Sequence, residues 1–433
     1  MTPSGPPDEH HDQGQQGHQG HQGHQGHQGL AWGWVAALRD GSSASWAQWR
    51  RSGATASPTA RDLPGAQQLE LVRRINLVGA GSSTRADLVE RVFTASATGR
   101  GLPERTLVGA VPERSWGLAP LDPGHLSDQD LLGVAATLVA QDLVAADLAA
   151  RASGRQRSVS SPGVAVARRA RHRMLRRRGG RQVVGDPWLA WTVRDELLRT
   201  GRPLAPPGDP GREGRPVVVV GQDLATMLVG AWTARAFDGG APSWERWLGS
   251  GRGGAVPRPV DLARVARRWG DVVGAERVLL APDPTLLPIA LNLPARARRR
   301  LAPPYVSADG VDLARRVSAP LGLLVPRHER RRVLRRVLLP LLRADLVEHP
   351  SPPLVVPDSR QAWVVRRAQR MRDDLGAARY PVVGDLQALV PDRADHRPPG
   401  VVPDAWGVLG LTIRLLLAPQ SLTSHPPTKE TTR

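Results

Sequence analysis

Three short stretches carry the side chains with the most chemical potential in this sequence: Gly185-Asp186, Gly221-Gln222-Asp223 and Pro282-Asp283. Each follows a run of aliphatic residues, and in a parallel sheet the carboxyl ends of the strands are where ligands lie. Three carboxylates converging there would suit a cation or a general base. The local alternative is that each aspartate accepts the first free amides of a following helix as its N-cap, or closes a turn. A phosphate site would instead need GxxxxGK[ST], in which backbone amides and a lysine cradle the anion. Neither "VVGDPWLAW" nor "VVVVGQDLATM" has it, and the acidic residue after each glycine repels phosphate. Gly185, Asp186, Gly221, Gln222 and Asp223 therefore stand as candidate ligand-binding residues that have the layout of a phosphate turn without its charge.

Other constellations are thinner. GxSxG and HExxH are absent, and no cysteine is available for disulfides, zinc thiolates or nucleophilic attack. The tract "GHQGHQGHQGHQG" repeats His18, His21, His24 and His27 every three residues. Its glycine-rich composition implies a disordered tail with incidental metal chelation and no fixed metal site. "LVGAGSSTRADLV", residues 77–89, follows a helical pattern, so Gly79 reads as a helix C-cap and Ser83 or Thr84 as the next N-cap.

The whole chain sets the frame for these candidates. It has 433 residues, with 59 Lys+Arg against 40 Asp+Glu and a formal net charge of +19. Lys429 is the only lysine, so this arginine excess reflects a high-GC coding bias more than a nucleic-acid groove, which interleaves basic residues with exposed aromatics. Nucleic acid is not the expected partner. No apolar run reads as a membrane span, the nearest being Ala405 to Ala418 with Arg414 inside it, and the N-terminus is acidic and polar, so the expected location is cytoplasmic.

Elements that position the candidates follow from periodicity. "RQVVG", "PVVVVG" and "ERVLLAP" read as strands separated by helices such as "DPWLAWTVRDELL", with Pro187 suited to its first turn. Strands spaced by helices imply an α/β class, a parallel sheet with flanking helices. A small all-helical domain precedes it, with a stripe of Leu69, Val72 and Ile75 and a long helix capped by Ser127 with Asp130 in capping-box position. The expected organisation is a disordered tail at 1–29, a helical domain at 30–150, an Arg-rich linker at 151–180, an α/β domain at 181–418 and a disordered tail at 419–433. The linker region holds eight arginines between Arg168 and Arg181, a solvated strip or an anion-binding one. Further on, "RHERRRVLRRVLLPLLRADLV" places Val333, Leu334, Val337, Leu338 and Leu341 on one helical face and Arg331, Arg332, Arg335 and Arg336 on the other, with a kink at Pro340.

A duplication crosses the two domains. Gly33 to Trp49 aligns without a gap on Ala231 to Trp247: Trp34 with Trp232, Asp40-Gly41 with Asp238-Gly239, Ser45-Trp46 with Ser243-Trp244, and Trp49 with Trp247. A helix that ends at Asp-Gly, followed by a serine-capped helix with Trp at i and i+3, explains the pattern as two copies of a packed core module.

"VVVVGQDLATMLVGAW", "SWERWL", "DLARVARRWGDVVGAERVLLAPD" and "AWVVRRAQRMRDDLGAARYPVVGDLQALVP" resemble the sulfotransferase-like proteins of high-GC bacteria. The resemblance implies a degenerate P-loop type of sheet that binds 3′-phosphoadenosine 5′-phosphosulfate and sulfates a glycan or small alcohol. It also implies a phosphosulfate loop at "GDPWLAW", where neither the lysine nor the Gly-Thr pair is present, and an arginine where Gln222 stands. The expected function is accordingly a non-catalytic sulfotransferase-like protein binding a partner or anionic ligand, with another glycan-modifying enzyme as one such partner. The alternative is a divergent sulfotransferase in which the arginine strip or Arg194 replaces the lysine, and a third is an Arg-rich nucleic-acid binder. On the family geometry, Gln222→Arg is expected to raise nucleotide affinity.

Overall fold

The structure, a computed structural model, describes residues 19–59, 62–79, 85–95, 106–110, 119–159, 180–205, 216–249, 256–391 and 400–418. The chain divides into two compact units, Met1–Leu138 and Val139–Arg433.

The first unit is helical. Helices α1 (Gln19–Arg39), α2 (Trp46–Ser52), α3 (Ala66–Val78) and α4 (Arg85–Thr94) precede the long α5 (Asp128–Val159). Ser45 and Gln48 form a capping box at α2, and Trp34, Leu38, Trp46, Leu69, Val72 and Ile75 are buried. Asp130 takes its capping-box position at α5, its Oδ2 accepting from both the backbone amide and the hydroxyl of Ser127. Two expectations are corrected. Helix α1 starts at Gln19, inside the stretch read as a disordered tail. Ala31, Trp32, Trp34 and Val35 anchor it, and each residue added to a formed helix gains a hydrogen bond without a new nucleus. Helix α5 also runs on to Val159, past the end assigned to the helical domain at 150, and the division between units falls within it. Residues 160–179 with most of the arginine strip, His18, residues 80–84 and the tail at 419–433 lie outside the described residues. The Asp128–Ser153 stretch of α5 is long and apolar enough to cross a membrane, and 56% of its most apolar window is buried. This also corrects the expectation that Ala405 to Ala418 is the run nearest to a span; Gln141, Asp142 and Asp147 break the longer run up and hide it in the sequence.

The second unit holds a three-stranded parallel sheet, β1 (Gln182–Gly185), β2 (Val217–Val220) and β3 (Val278–Ala281), in spatial order β1-β2-β3. All three expected strands are present. Helix α6 (Pro187–Arg199) connects β1 to β2, and α7 (Leu224–Gly239), α8 (Trp244–Gly249) and α9 (Leu262–Val273) lie between β2 and β3. Val183, Val218, Val220 and Ala281 pack with Leu189, Val193 and Leu197 of α6 into one apolar core. Gly185 is required where it stands. Its φ is +108°, and an added Cβ would lie 2.1 Å from the Val220 carbonyl oxygen. After β3 come α10 (Ala308–Leu324), α11 (Arg327–Val333), α12 (Leu339–Glu348), α13 (Asp358–Ala377) and α14 (Ala405–Leu417).

The basic amphipathic segment departs from its expected form. Leu334–Leu338 is a π-helical turn between α11 and α12, and Arg335, placed on the solvent face by helical spacing, is buried. A proline ring clashes with the carbonyl four residues earlier. The wider π turn covers Arg336, that position for Pro340, and so takes up the strain expected as a kink.

Candidate functional site

The two glycine turns end adjacent strands, since Gly185 and Val220 are paired in the β1–β2 register. Asp186 caps α6, accepting hydrogen bonds from the amides of Trp188 (2.9 Å) and Leu189 (3.3 Å). Asp223 caps α7, accepting from the Thr226 amide at 3.1 Å, and Asp283 accepts from the Thr285 amide at 2.8 Å. The capping reading thus describes all three strand-end aspartates. Among the described residues no three His, Asp or Glu side chains gather as metal ligands. The side chains of His21, His24 and His27 are outside the described residues.

What the sequence did not show is the contact between the turns. Gln222 Nε2 donates to Asp186 Oδ2 at 2.7 Å. Asp186 is fully buried, and helix α7 approaches so closely that a Cβ on Gly230 would sit 2.9 Å from Asp186 Oδ1. Burial pushes the Asp186 carboxyl up to about 6, and the Gln222 and backbone hydrogen bonds oppose that rise. Gly221 is likewise covered: a Cβ there would meet Leu262 Cδ1 at 2.4 Å, with Leu389 next to it. The turn that resembled an open phosphate cradle is closed on its Gly221 side. Nor does the strand order reverse within this sheet, and reversal is what opens a ligand crevice in doubly wound sheets.

The open space lies on the other side of Gln222. A cavity of about 360 Å³ is lined by one face of α7, with Ala225, Thr226, Val229, Gly230 and Thr233 at helical spacing, and by Trp188. Its opposite wall is two extended segments, Pro303–Val306 and Pro353–Val356. Indole and phenol donors pin these walls. Trp188 Nε1 donates to Pro304 O (3.3 Å), Trp244 Nε1 to Val355 O (3.2 Å), and Tyr305 Oη to Ser351 O (2.6 Å). Trp244 belongs to the second copy of the duplicated module, so that copy holds one wall of the cavity. The lining contains no arginine, lysine, histidine, aspartate or glutamate. Gln222 and the hydroxyls of Thr226, Thr233 and Tyr305 are its polar groups. Of the five candidate ligand residues, Gln222 alone lines the cavity.

Of the replacement cations proposed from sequence, Arg168 to Arg178 lie outside the described residues, and Arg194 is placed elsewhere. Arg194 donates through Nε and Nη2 to the carbonyl of Val183, behind the strand end. Sequence reasoning missed Trp188, Tyr305 and both proline-rich walls. Trp188 was visible as part of the α6 pattern, whereas Pro303–Val306 and Pro353–Val356 have no periodicity that marks them. No known family, curated protein or solved structure matches the chain.

Proposed function

We propose that the second unit is a non-catalytic binding module for an uncharged, predominantly apolar small ligand held between α7 and the two proline-rich walls. One observation carries this reading: a cavity of metabolite size whose lining is aliphatic, aromatic and prolyl, with no ionisable group other than the Tyr305 phenol. Such pockets bind through apolar burial, with a few placed polar groups fixing orientation. Gln222 and Thr226, where α7 begins, are suited to that role. The sulfotransferase-like kinship and the cytoplasmic location inferred from sequence are compatible with a binding module. Sulfate transfer is not favoured, because the transferring group's charge has no cation in this lining to stabilise it.

Nile red, an uncharged apolar dye, tests the reading. Its fluorescence should rise on titration with the chain, and Val229→Trp, which fills the cavity from a half-exposed position, should weaken binding by at least tenfold. Adenosine 3′,5′-bisphosphate should leave the melting temperature unchanged at millimolar concentration. Dye binding that is indifferent to Val229→Trp, or stabilisation by the bisphosphate, would sink the proposal. Gln222→Arg should not create nucleotide affinity, because the new guanidinium meets Asp186 first. It should instead pull the Asp186 carboxyl down from about 6.

A further inference from the structure

The π turn Leu334–Leu338 rolls Arg335 into the protein, where it is only 8% exposed. Its guanidinium lies 4.4 Å from the Trp191 ring centroid and 5.3 Å from that of Trp188. Nη2 donates to Asp238 Oδ1 at 2.7 Å, whereas Nε and Nη1 are buried without a hydrogen-bond partner. Arg331 Nε reaches the same carboxylate at 3.1 Å. Arg194 is near enough for both Asp238 and Arg331 to act on its charge, and Arg335 feels all three groups. Two guanidiniums, those of Arg331 and Arg335, therefore contact one carboxylate, while Arg194 donates to the Val183 carbonyl. A buried guanidinium with two idle donors is costly, and indole faces offset only part of that cost. The arrangement meets solvent on one side, where the Arg331 and Asp238 side chains are 49% and 40% exposed.

We propose that Arg331 and Arg335 form a binding site for a doubly charged tetrahedral oxyanion, a phosphate or sulfate group, that enters between Arg331 and Asp238. The charge argues for a dianion: once Asp238 turns aside, two guanidiniums face the incoming group, and a carboxylate would cancel only half of that charge. The geometry agrees, because the guanidinium fork offers paired donors to an oxyanion. Asp238 holds Arg335 in the free protein and, being partly exposed, can turn outward when the anion takes its place. This site is separate from the apolar cavity, although the Trp188 ring borders both.

Melting temperatures of the full chain, measured in sodium phosphate against sodium chloride of equal ionic strength, test the proposal. Phosphate in the millimolar range should raise the midpoint by several degrees, as expected for a ligand that binds only the folded state. Arg331→Gln should remove at least half of that rise, and Arg296→Gln, the same charge change at an exposed position in the same unit, should keep it. Arg335→Lys retains the charge but not the fork and should abolish the rise; if it does not fold, the Arg331 comparison decides. No gain over chloride, or equal losses in Arg331→Gln and Arg296→Gln, overturns the site. Phenyl phosphate separates the sources of the anion: a matching rise assigns the site to a phosphate group on a larger molecule, and a rise with inorganic phosphate alone assigns it to the free ion.

Discussion

Trp232→Ala should destabilise the second unit by about 3–5 kcal/mol, the usual range for deleting a large aromatic from a core. Trp232 is fully buried, packs against Trp244 with ring centroids 5.3 Å apart, and donates Nε1 to Pro242 O at 3.0 Å across the turn. The first unit repeats this geometry. Trp34 is fully buried, lies 5.2 Å from Trp46, and donates to Ala44 O at 3.0 Å, ten residues on in both copies. Trp34→Ala should therefore cost its own unit a similar amount. Hydrogen exchange can report each module separately: protection should fall across Leu224–Gly249 in the first variant and across Gln19–Ser52 in the second. Trp232→Phe keeps most of the ring and loses the bond to the turn, so it should cost about 1–2 kcal/mol. Equal losses for Phe and Ala would show that ring packing is not where the energy lies.

That repeat also shows how far sequence reasoning reaches here. Paired tryptophans at fixed offsets, Asp-Gly ends and serine caps are local signals, and they located both copies of the module. Runs such as "VVVV" located the strands for the same reason, because β-branched residues suit a buried strand irrespective of distant neighbours. The divergence between the copies was not legible. Trp244 Nε1 donates to Val355 O, a residue 111 positions away, whereas Trp46 Nε1 is buried without a partner. Only the folded chain shows that the second copy supports a cavity wall.

Arg335 illustrates a different limit. Helical spacing puts it beside Arg331, Arg332 and Arg336 on a solvated face, and that assignment assumes an unbroken 3.6-residue period. One π turn changes the phase, and Arg335 then lies against two indoles. Gln222 illustrates a third. From sequence it looked like an arginine lost from a phosphate site, because its partner Asp186 lies 36 residues earlier and is brought to it only by β1–β2 pairing.

Asp186→Asn should change how stability depends on pH. In the native state burial holds this carboxyl at about 6, against an ordinary value of 3.8. Between those values the native state binds a proton that the unfolded state does not, so stability falls as pH rises. The stabilisation is complete below the unfolded value and is lost as pH passes through about 6. Two pKa units correspond to about 3 kcal/mol. The asparagine of the variant can still cap α6 with its oxygen and meet Gln222 once that amide turns over, but it has no proton to lose. The stability difference between wild type and Asp186→Asn should then shift by about 2–3 kcal/mol in the variant's favour between pH 4 and pH 7. Asp309, also pushed up to about 6 by burial, titrates in both proteins and cancels in the difference. Urea midpoints at several pH values measure this, and parallel profiles would contradict a buried carboxylate held by Gln222. If the profiles diverge, the identity of residue 222 follows from the same chemistry. Ionised Asp186 needs a hydrogen-bond donor beside the cavity, and glutamine supplies one without adding a charge, leaving the lining fit for an uncharged ligand.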